Sequence, residues 1–454
     1  VISPGEVVPG EQMKLEHTAT VHSDVPVRWV AVRYPSVSGE LATGEDLKAN
    51  QSISSDSTQT LPASTLLTEP YWLRAEGTVG MSRVDNASLI GRPENPSVFP
   101  VENVFEVAGQ TIVLPDESAR LDVIPPVWLH FVSDIALMAP GASSTVEVEI
   151  TAARANSSGT LRLDGSSDWK VSLAEQTFHL ANVGDHARLR FTIVAPSQTG
   201  TAKLTASAEI NGTRFDNDKE VISYSHIPRQ LLQPPARLKA ISLDLAIRGH
   251  KIGYLPGAGD SIAQDLRHMG YEVTTLNDEG LTAEQLSGLD AVVIGVRAFN
   301  VRKNLPSAMP ALFSYVENGG TVVAQYNRPD GLKTEKLAPY DLHLSGKRVT
   351  DETAKVTFLA PDNPVLNTPN KITEADFDGW IQERGIYYPD EWDPHFTPIL
   401  AAHDPGEEPL DGGLLVAKYG KGYFVYTGLV FFRELPAGVP GAYRLFANLV
   451  SLGK

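Results

Sequence analysis

"GGTVVAQYNRPDG", residues 319–331, reads as the end of a helix, a short apolar strand and a sharp polar turn. A glycine pair closes the helix. The apolar run that follows suits a parallel strand covered on both faces. Upstream, the same grammar repeats. "HKIGYLPG" (250–257), "YEVTTL" (271–276) and "DAVVIGV" (290–296) are strands. Helices lie between them: "GDSIAQDLRHMG" (259–270), one opened by "TAEQL" (282–286), and "MPALFSYVENGG" (309–320). Asp260 or Ser261 can cap the first, Ile262, Leu266 and Met269 share one face, and Gly270 ends it. Thr282 and Gln285 form a capping box for the second. Strand–helix alternation of this kind implies right-handed crossovers and a parallel sheet. Ligands bind beyond the C-terminal strand ends of such sheets. Those ends are Pro256–Asp260, Arg297–Asn300 and Tyr326–Asp330. Further on, "GGLLVAKYGKGYFVYTGLVFF" (412–432) reads as a hairpin turning at Gly420–Lys421–Gly422, and "GAYRLFANLVSL" (441–452) as a closing helix.

Before residue 225 the text is different. "VRWVAVRY" (27–34) and "TVEVEITA" (145–152) alternate with period two, and "VVPGE", "MAPGA", "NSSG", "NVGD" and "EING" punctuate such runs. This pattern predicts antiparallel β-sandwiches. Pro125 and Pro126 in "LDVIPPVWL" (121–129) mark a boundary. "SHIPRQLLQPPARLKA" (225–240) reads as a stiff, proline-rich connector. The expected organisation is a β-sandwich over 1–125, a second over 126–225, a linker over 226–247 and an α/β domain over 248–454. The fold class is multidomain β plus α/β.

A chain of 454 residues is too long for one core. Its formal net charge of -17 argues against nucleic acid and anionic membrane as main partners. No apolar run reaches the ~18 residues of a membrane span. The chain has no cysteine, which removes disulfides, thiolate metal sites and a cysteine nucleophile. Such a composition suits an extracellular or periplasmic protein and also a cytoplasmic one. The start at Val1 reads as a mature or excised piece.

The most unusual stretch is "DFDGWIQERGIYYPDEWDPHF" (376–396), which reads as loop. It concentrates Trp380, Tyr387, Tyr388 and Trp392 with six acidic side chains, Arg384 and His395. Aromatic faces flanked by carboxylates and an arginine are what a sugar-binding cleft needs. Aromatics anchored in a core beneath a charged, solvated loop would look the same. Both readings stand at this level. A calcium site at Asp376, Asp378 and Glu383 lacks the EF-hand loop pattern. His395 and His403 have no partner at metal-ligand spacing. The candidate ligand-binding set is Asn327, Arg328, Trp380, Arg384, Tyr388, Asp390, Glu391, Trp392 and Glu434. It should converge on one cleft at the strand ends.

"VENGGTVVAQYN" (316–327), "DNPVLN" (362–367) and "YGKGYFVYTGLVFFRE" (419–434) resemble the class I glutamine amidotransferase-like superfamily, in its trehalose-utilisation-like branch. The resemblance implies a flavodoxin-like parallel-sheet domain. In active members a cysteine follows the fourth strand, and a histidine and a glutamate follow a late one. Here Tyr326 falls near the cysteine's place and Phe432 near the histidine's, and only Glu434 matches. "SGTLRLDGSSDWKVSLAEQTFHL" (158–180) and "ARLRFTIVAPS" (187–197) resemble the NEW3 sandwich found beside α-galactosidase modules. Together with "EPYWLRAEGTVGMSRVDN" (69–86), "DFDGWIQERGIYYPDEWDP" and "LPAGVPGAYRLFANLVSL" (435–452), they look like the C-terminal two-thirds of long bacterial PIG-L (LmbE-like) deacetylases. That family carries zinc in an N-terminal domain through an A-H-P-D-D-E-type motif and acts on N-acetylglucosamine-type substrates. The motif is absent from these residues. The resemblance implies a non-catalytic accessory region with no cofactor of its own, with zinc only in a deacetylase domain joined in cis. Glycan binding, positioning or homo-oligomerisation would be its task. Two alternatives remain: a carbohydrate-active hydrolase or isomerase using Glu434, Asp390 or Glu391, and a structural oligomerisation module.

Overall fold

A computed structural model describes every residue except 1, 4, 79, 117–119 and 167. The chain is a multidomain, β-rich protein. In its first part, Gln12–Thr20 pairs antiparallel with Ser52–Thr60, and strict alternation turns Met13, Leu15, His17 and Ala19 inward. A four-stranded sheet, ordered Gln110–Asp116, Val101–Val107, Val27–Tyr34 and Gly39–Leu47, supplies Trp29, Tyr34 and Val101 to the same core. The one buried histidine there is satisfied: Tyr34 OH lies 2.9 Å from His17 Nε2.

The second sandwich packs the sheet of Val127–Phe131, Ser143–Ala152, His186–Val194 and Lys170–Ser172 against a larger one. The larger sheet corrects an expected boundary. Residues 226–247 are not simply a linker. Arg237–Ser242 is an internal strand, antiparallel to Gly200–Ile210 and parallel to Ile135–Met138. Its Leu238 and Ala240 are fully part of the sandwich core. The neighbouring Pro234 and Pro235 hide its alternation in the sequence. The two sandwiches are bonded where they meet, by Arg154 Nε on Glu11 at 2.8 Å.

In the third part a seven-stranded sheet runs Glu272–Thr275, Lys251–Leu255, Ala291–Ile294, Thr321–Gln325, Gly422–Thr427, Leu414–Tyr419, Phe396–Pro398. The first five strands are mutually parallel and the last two antiparallel. Ala291–Ile294 is buried throughout, as its unbroken apolar text requires. The capping box at Thr282 and Gln285 forms, Gly270 adopts φ 98° behind Ile262–His268, and Tyr419 pairs with Gly422 across the hairpin turn. The closing helix is Pro440–Val450, buried on most of its surface.

The stretch 376–396 is more ordered than its sequence indicates. After a short 3-10 turn at Glu374–Phe377, residues Gly385–Trp392 form a strand antiparallel to Leu342–Val349, with several register shifts. Ile386 N donates to Gly428 O at 2.9 Å, and Gly385 bridges Leu429. The start of this strand is therefore pinned on the C-terminal end of Gly422–Thr427. Among the described residues no helix is long and apolar enough to cross a membrane.

Candidate functional site

Four chain segments meet at the C-terminal ends of the parallel strands. Arg297 follows Ala291–Ile294, Tyr326 follows Thr321–Gln325, Phe432 and Arg433 follow Gly422–Thr427, and Tyr387 comes from the pinned strand. Arg297 N donates to Tyr326 O at 2.8 Å, so two neighbouring strand ends are locked together. The Tyr326 ring lies 5.1 Å from Phe432 and 5.8 Å from Tyr387, centroid to centroid. The Arg433 guanidinium sits 4.8 Å over Phe432, and its Nε donates to Glu383 Oε1 at 3.1 Å. All three rings are only half-buried.

The backbone is strained at the same place. Arg297, Gln382 and Tyr387 have φ of 57°, 68° and 55°. Left-handed conformations are costly for side chains of this size. Such residues persist where the surroundings over-determine them, and they cluster at functional sites.

The structure divides the residues expected to form the site. Asn327 is wholly buried and braces the turn: its Oδ1 accepts from Phe299 N at 2.9 Å and its Nδ2 donates to Gln325 O. Arg328 is exposed, with its backbone held on both sides by the Asn300 amide. Trp380 and Tyr388 are corrections. At 3 % and 2 % exposure they present no face to solvent and cannot stack on a sugar in this structure. The Trp380 indole donates to Asp376 O and packs on Phe377 and Phe431. Tyr388 fills a slot whose walls are glycines. A Cβ on Gly385 would stand 2.4 Å from its hydroxyl, and one on Gly413 2.8 Å from its ring. Arg384 is also interior, donating to Ala354 O and Phe377 O. Asp390 and Glu391 are exposed. Trp392 packs with the core on the opposite face of the sheet from Trp380. At ~3.3 Å per residue, a strand carries Trp392 on the order of 15 Å beyond Tyr387. The expected set therefore does not converge on one cleft.

Glu434 is fully buried and both its oxygens accept from Ile381 N, at 3.2 and 3.1 Å. Burial pushes its carboxyl up to about 8, against Ile381 N, Arg384 and Arg433, which pull it down. Burial also raises the Tyr326 phenol, while Arg297 and Arg433 pull it the other way. Asp376 accepts from Thr373 and meets Arg444 at 3.4 Å, and His395 stacks on Tyr340 beside Asp393. Asp260, after the first parallel strand, accepts from Ile262 N and Val296 N and serves as the cap of a tight turn. A cavity of about 650 Å³ lies elsewhere, lined by Ser133, Glu147, Arg190 and His268 between the second sandwich and the third part. What the strand ends offer is a cluster of three half-buried rings beside Arg433, which is paired to the buried Glu383. Tyr387, Phe432 and Arg433 stood outside the expected set. Tyr387 shares its strand with the buried Tyr388, and only the strand's pairing tells which of the two faces outward.

No family model and no curated protein matches the chain. Among solved structures, parts of it are similar to the alpha-2-macroglobulin of Salmonella, with 12% identity over 53% of this chain and 16% of that one, at a TM-score of 0.21. Native alpha-2-macroglobulin of E. coli gives 11% identity over the same shares at 0.20. The sporulation control protein Spo0M of Bacillus subtilis gives 11% over 26% of this chain and 50% of its own, at 0.15. The chain spans about a sixth of the length of these macroglobulins. Likenesses at these scores carry no argument about the chain.

Proposed function

We propose that this chain is a non-catalytic accessory region whose α/β part holds a glycan at its strand ends, serving a PIG-L (LmbE-like) zinc deacetylase domain joined in cis. The observation that carries this reading is the contact of Tyr326 with Phe432 and Tyr387. By the resemblance to class I amidotransferase-like, flavodoxin-like domains, Tyr326 falls near the cysteine's place and Phe432 near the histidine's. Their meeting in space supports that correspondence, with aromatic surface in place of nucleophile and base. Half-buried rings beside a polar rim suit the C–H faces and hydroxyls of a sugar. Exposed Ile112, Val113 and Leu114 on the edge strand Gln110–Asp116 are consistent with an assembly role for the first sandwich.

The alternative of an independent carbohydrate-active enzyme is favoured by one observation, the strongly raised carboxyl of Glu434 close to Glu383. Its complete burial and its role in holding Ile381 N speak for a structural acid instead. Calorimetric titration with N-acetylglucosamine oligosaccharides tests the proposal. Binding by the parent chain, lost in Phe432→Ala with unchanged thermal unfolding, is the expected result. Absence of binding at millimolar ligand, or binding that Phe432→Ala leaves intact, overturns it.

A further inference from the structure

The strand Gln110–Asp116 is an outer edge of the first sandwich's four-stranded sheet, paired only with Val101–Val107. A two-residue turn at Ala108–Gly109, with φ of 48° and 75°, joins the two strands and sets their register. Val107 and Gln110 flank that turn as a hydrogen-bonded pair, so the bonds to Val101–Val107 come from residues 110, 112, 114 and 116. Thr111, Val113 and Pro115 therefore turn their backbone groups outward. Among the described residues no backbone hydrogen bond from outside the sheet reaches these three. Ile112, Val113 and Leu114 are 41, 41 and 50 % exposed, so apolar side chains stand in water on both faces of this edge. Natural edges are blunted by charge, bulges or proline. The opposite edge of the same sheet, Gly39–Leu47, follows that rule, with Glu40, Glu45 and Asp46 and a register shift against its neighbour. Residues 110–114 carry no charge, and their pairing has no shift.

We propose that a second copy of this chain pairs on this edge, antiparallel about a two-fold axis at Val113. The strand's own sequence selects that register. With Val113 opposite the partner's Val113, the two exchange N–H···O bonds, and the Thr111 N–H of each copy donates to the partner's Pro115 carbonyl. Proline has no N–H to give, and in this register only its carbonyl is needed. Ile112 then faces the partner's Leu114 on one side of the sheet, and the two Val113 side chains meet on the other, apolar against apolar throughout. Centring on Thr111 would set Val113 against the glycine turn, and centring on Pro115 would oppose two residues without N–H. Two sheets of four strands continue as one, the isologous arrangement of a C2 dimer. One strand of seven residues falls short of the ~20–30 residues a side of a standard interface, so the dimer is a weak one. The proposal gives a place and a register to the assembly role noted for the first sandwich, and it does not depend on the glycan reading.

Sedimentation velocity of the full chain from about 1 to about 500 µM tests this, since it spans a Kd on the order of 10–100 µM. The mass should rise with concentration toward that of two chains. Val113→Pro removes the outward N–H and leaves the ladder to Val101–Val107 intact. Losing the exchanged bonds should raise Kd about tenfold or more. A second measurement needs no proline. The chain has no cysteine, so a single Val113→Cys reports the contact directly. Paired Cα atoms about 5.5 Å apart lie within disulfide range. Mild oxidation should link Val113→Cys into a dimer and leave Glu40→Cys, on the opposite edge, monomeric. A parent chain that is monomeric at every concentration, or a dimer that Val113→Pro leaves at full strength, overturns the proposal, as does a Val113→Cys chain that does not link. Calorimetry with N-acetylglucosamine oligosaccharides is unaffected by these results, so the two readings fail separately.

Discussion

Tyr326 and Phe432, far apart in the chain, stand with their rings 5.1 Å apart at 43°, the first just after the strand Thr321–Gln325 and the second in the short helix Phe431–Glu434 that follows the adjacent parallel strand. The pairing of Thr321–Gln325 with Gly422–Thr427 brings the two following segments together. Neither side chain offers a nucleophile or a general base at neutral pH. Burial raises the Tyr326 phenol above its ordinary value of 10, so it stays protonated at neutral pH, and a phenyl ring moves no proton. The purified chain should therefore release no ammonia from glutamine above a protein-free control. Release that Tyr326→Phe abolishes would contradict this.

Trp380 separates core from cleft. Its ring is buried among Phe377, Phe431 and the Arg384 guanidinium. Trp380→Ala should cost about 3–5 kcal/mol, read as a lower urea midpoint. Phe432→Ala, at a half-buried position, should cost much less. Equal midpoints for the two variants would place Trp380 outside the core.

The buried carboxyls give stability a pH slope of known sign. Glu434 is raised from its ordinary 4.5 to about 8, and Asp265 from 3.8 to about 7, both chiefly by burial. Across that window the folded chain keeps protons that the unfolded chain releases, so stability falls as pH rises. By about pH 9 Glu434 alone would cost on the order of 3–5 kcal/mol. Urea midpoints should decline from about pH 5 to about pH 9, and less steeply in Glu434→Gln. Parallel slopes in the two proteins would show that Glu434 does not hold its proton.

Residues Arg237–Ser242 make the second sandwich inseparable from what looked like a linker. A fragment ending at residue 225 lacks an internal strand and should not unfold cooperatively, while one spanning 126–244 should. Proteolysis of the intact chain should leave 237–242 uncut, because each of its sides is paired. Rapid cleavage there would contradict the pairing.

Much of this fold is legible in the sequence where local chemistry is unambiguous. The apolar run of Ala291–Ile294, the box of Thr282 and Gln285 and the turn at Gly420–Lys421–Gly422 each permit one structure. Arg237–Ser242 was concealed by prolines just outside it. Gly385–Trp392 was concealed by its charges, which an antiparallel partner on one side leaves in water. The site was legible only in location. Tyr387 and Tyr388 are adjacent and chemically alike, and the parity of the strand decides which is exposed. Nothing local announces that Trp380, set among acidic residues, finds a partner for its N–H in Asp376 O and turns inward.

The central claim, a sugar lying on the Tyr326–Tyr387–Phe432 face, is tested most directly by saturation-transfer difference NMR. Saturating the protein's aromatic protons should transfer signal to the ring C–H protons of a bound N-acetylglucosamine oligosaccharide, and the transfer should vanish in the double variant Tyr326→Ala, Phe432→Ala. No transfer to any sugar, or transfer undiminished in that folded variant, would contradict the account.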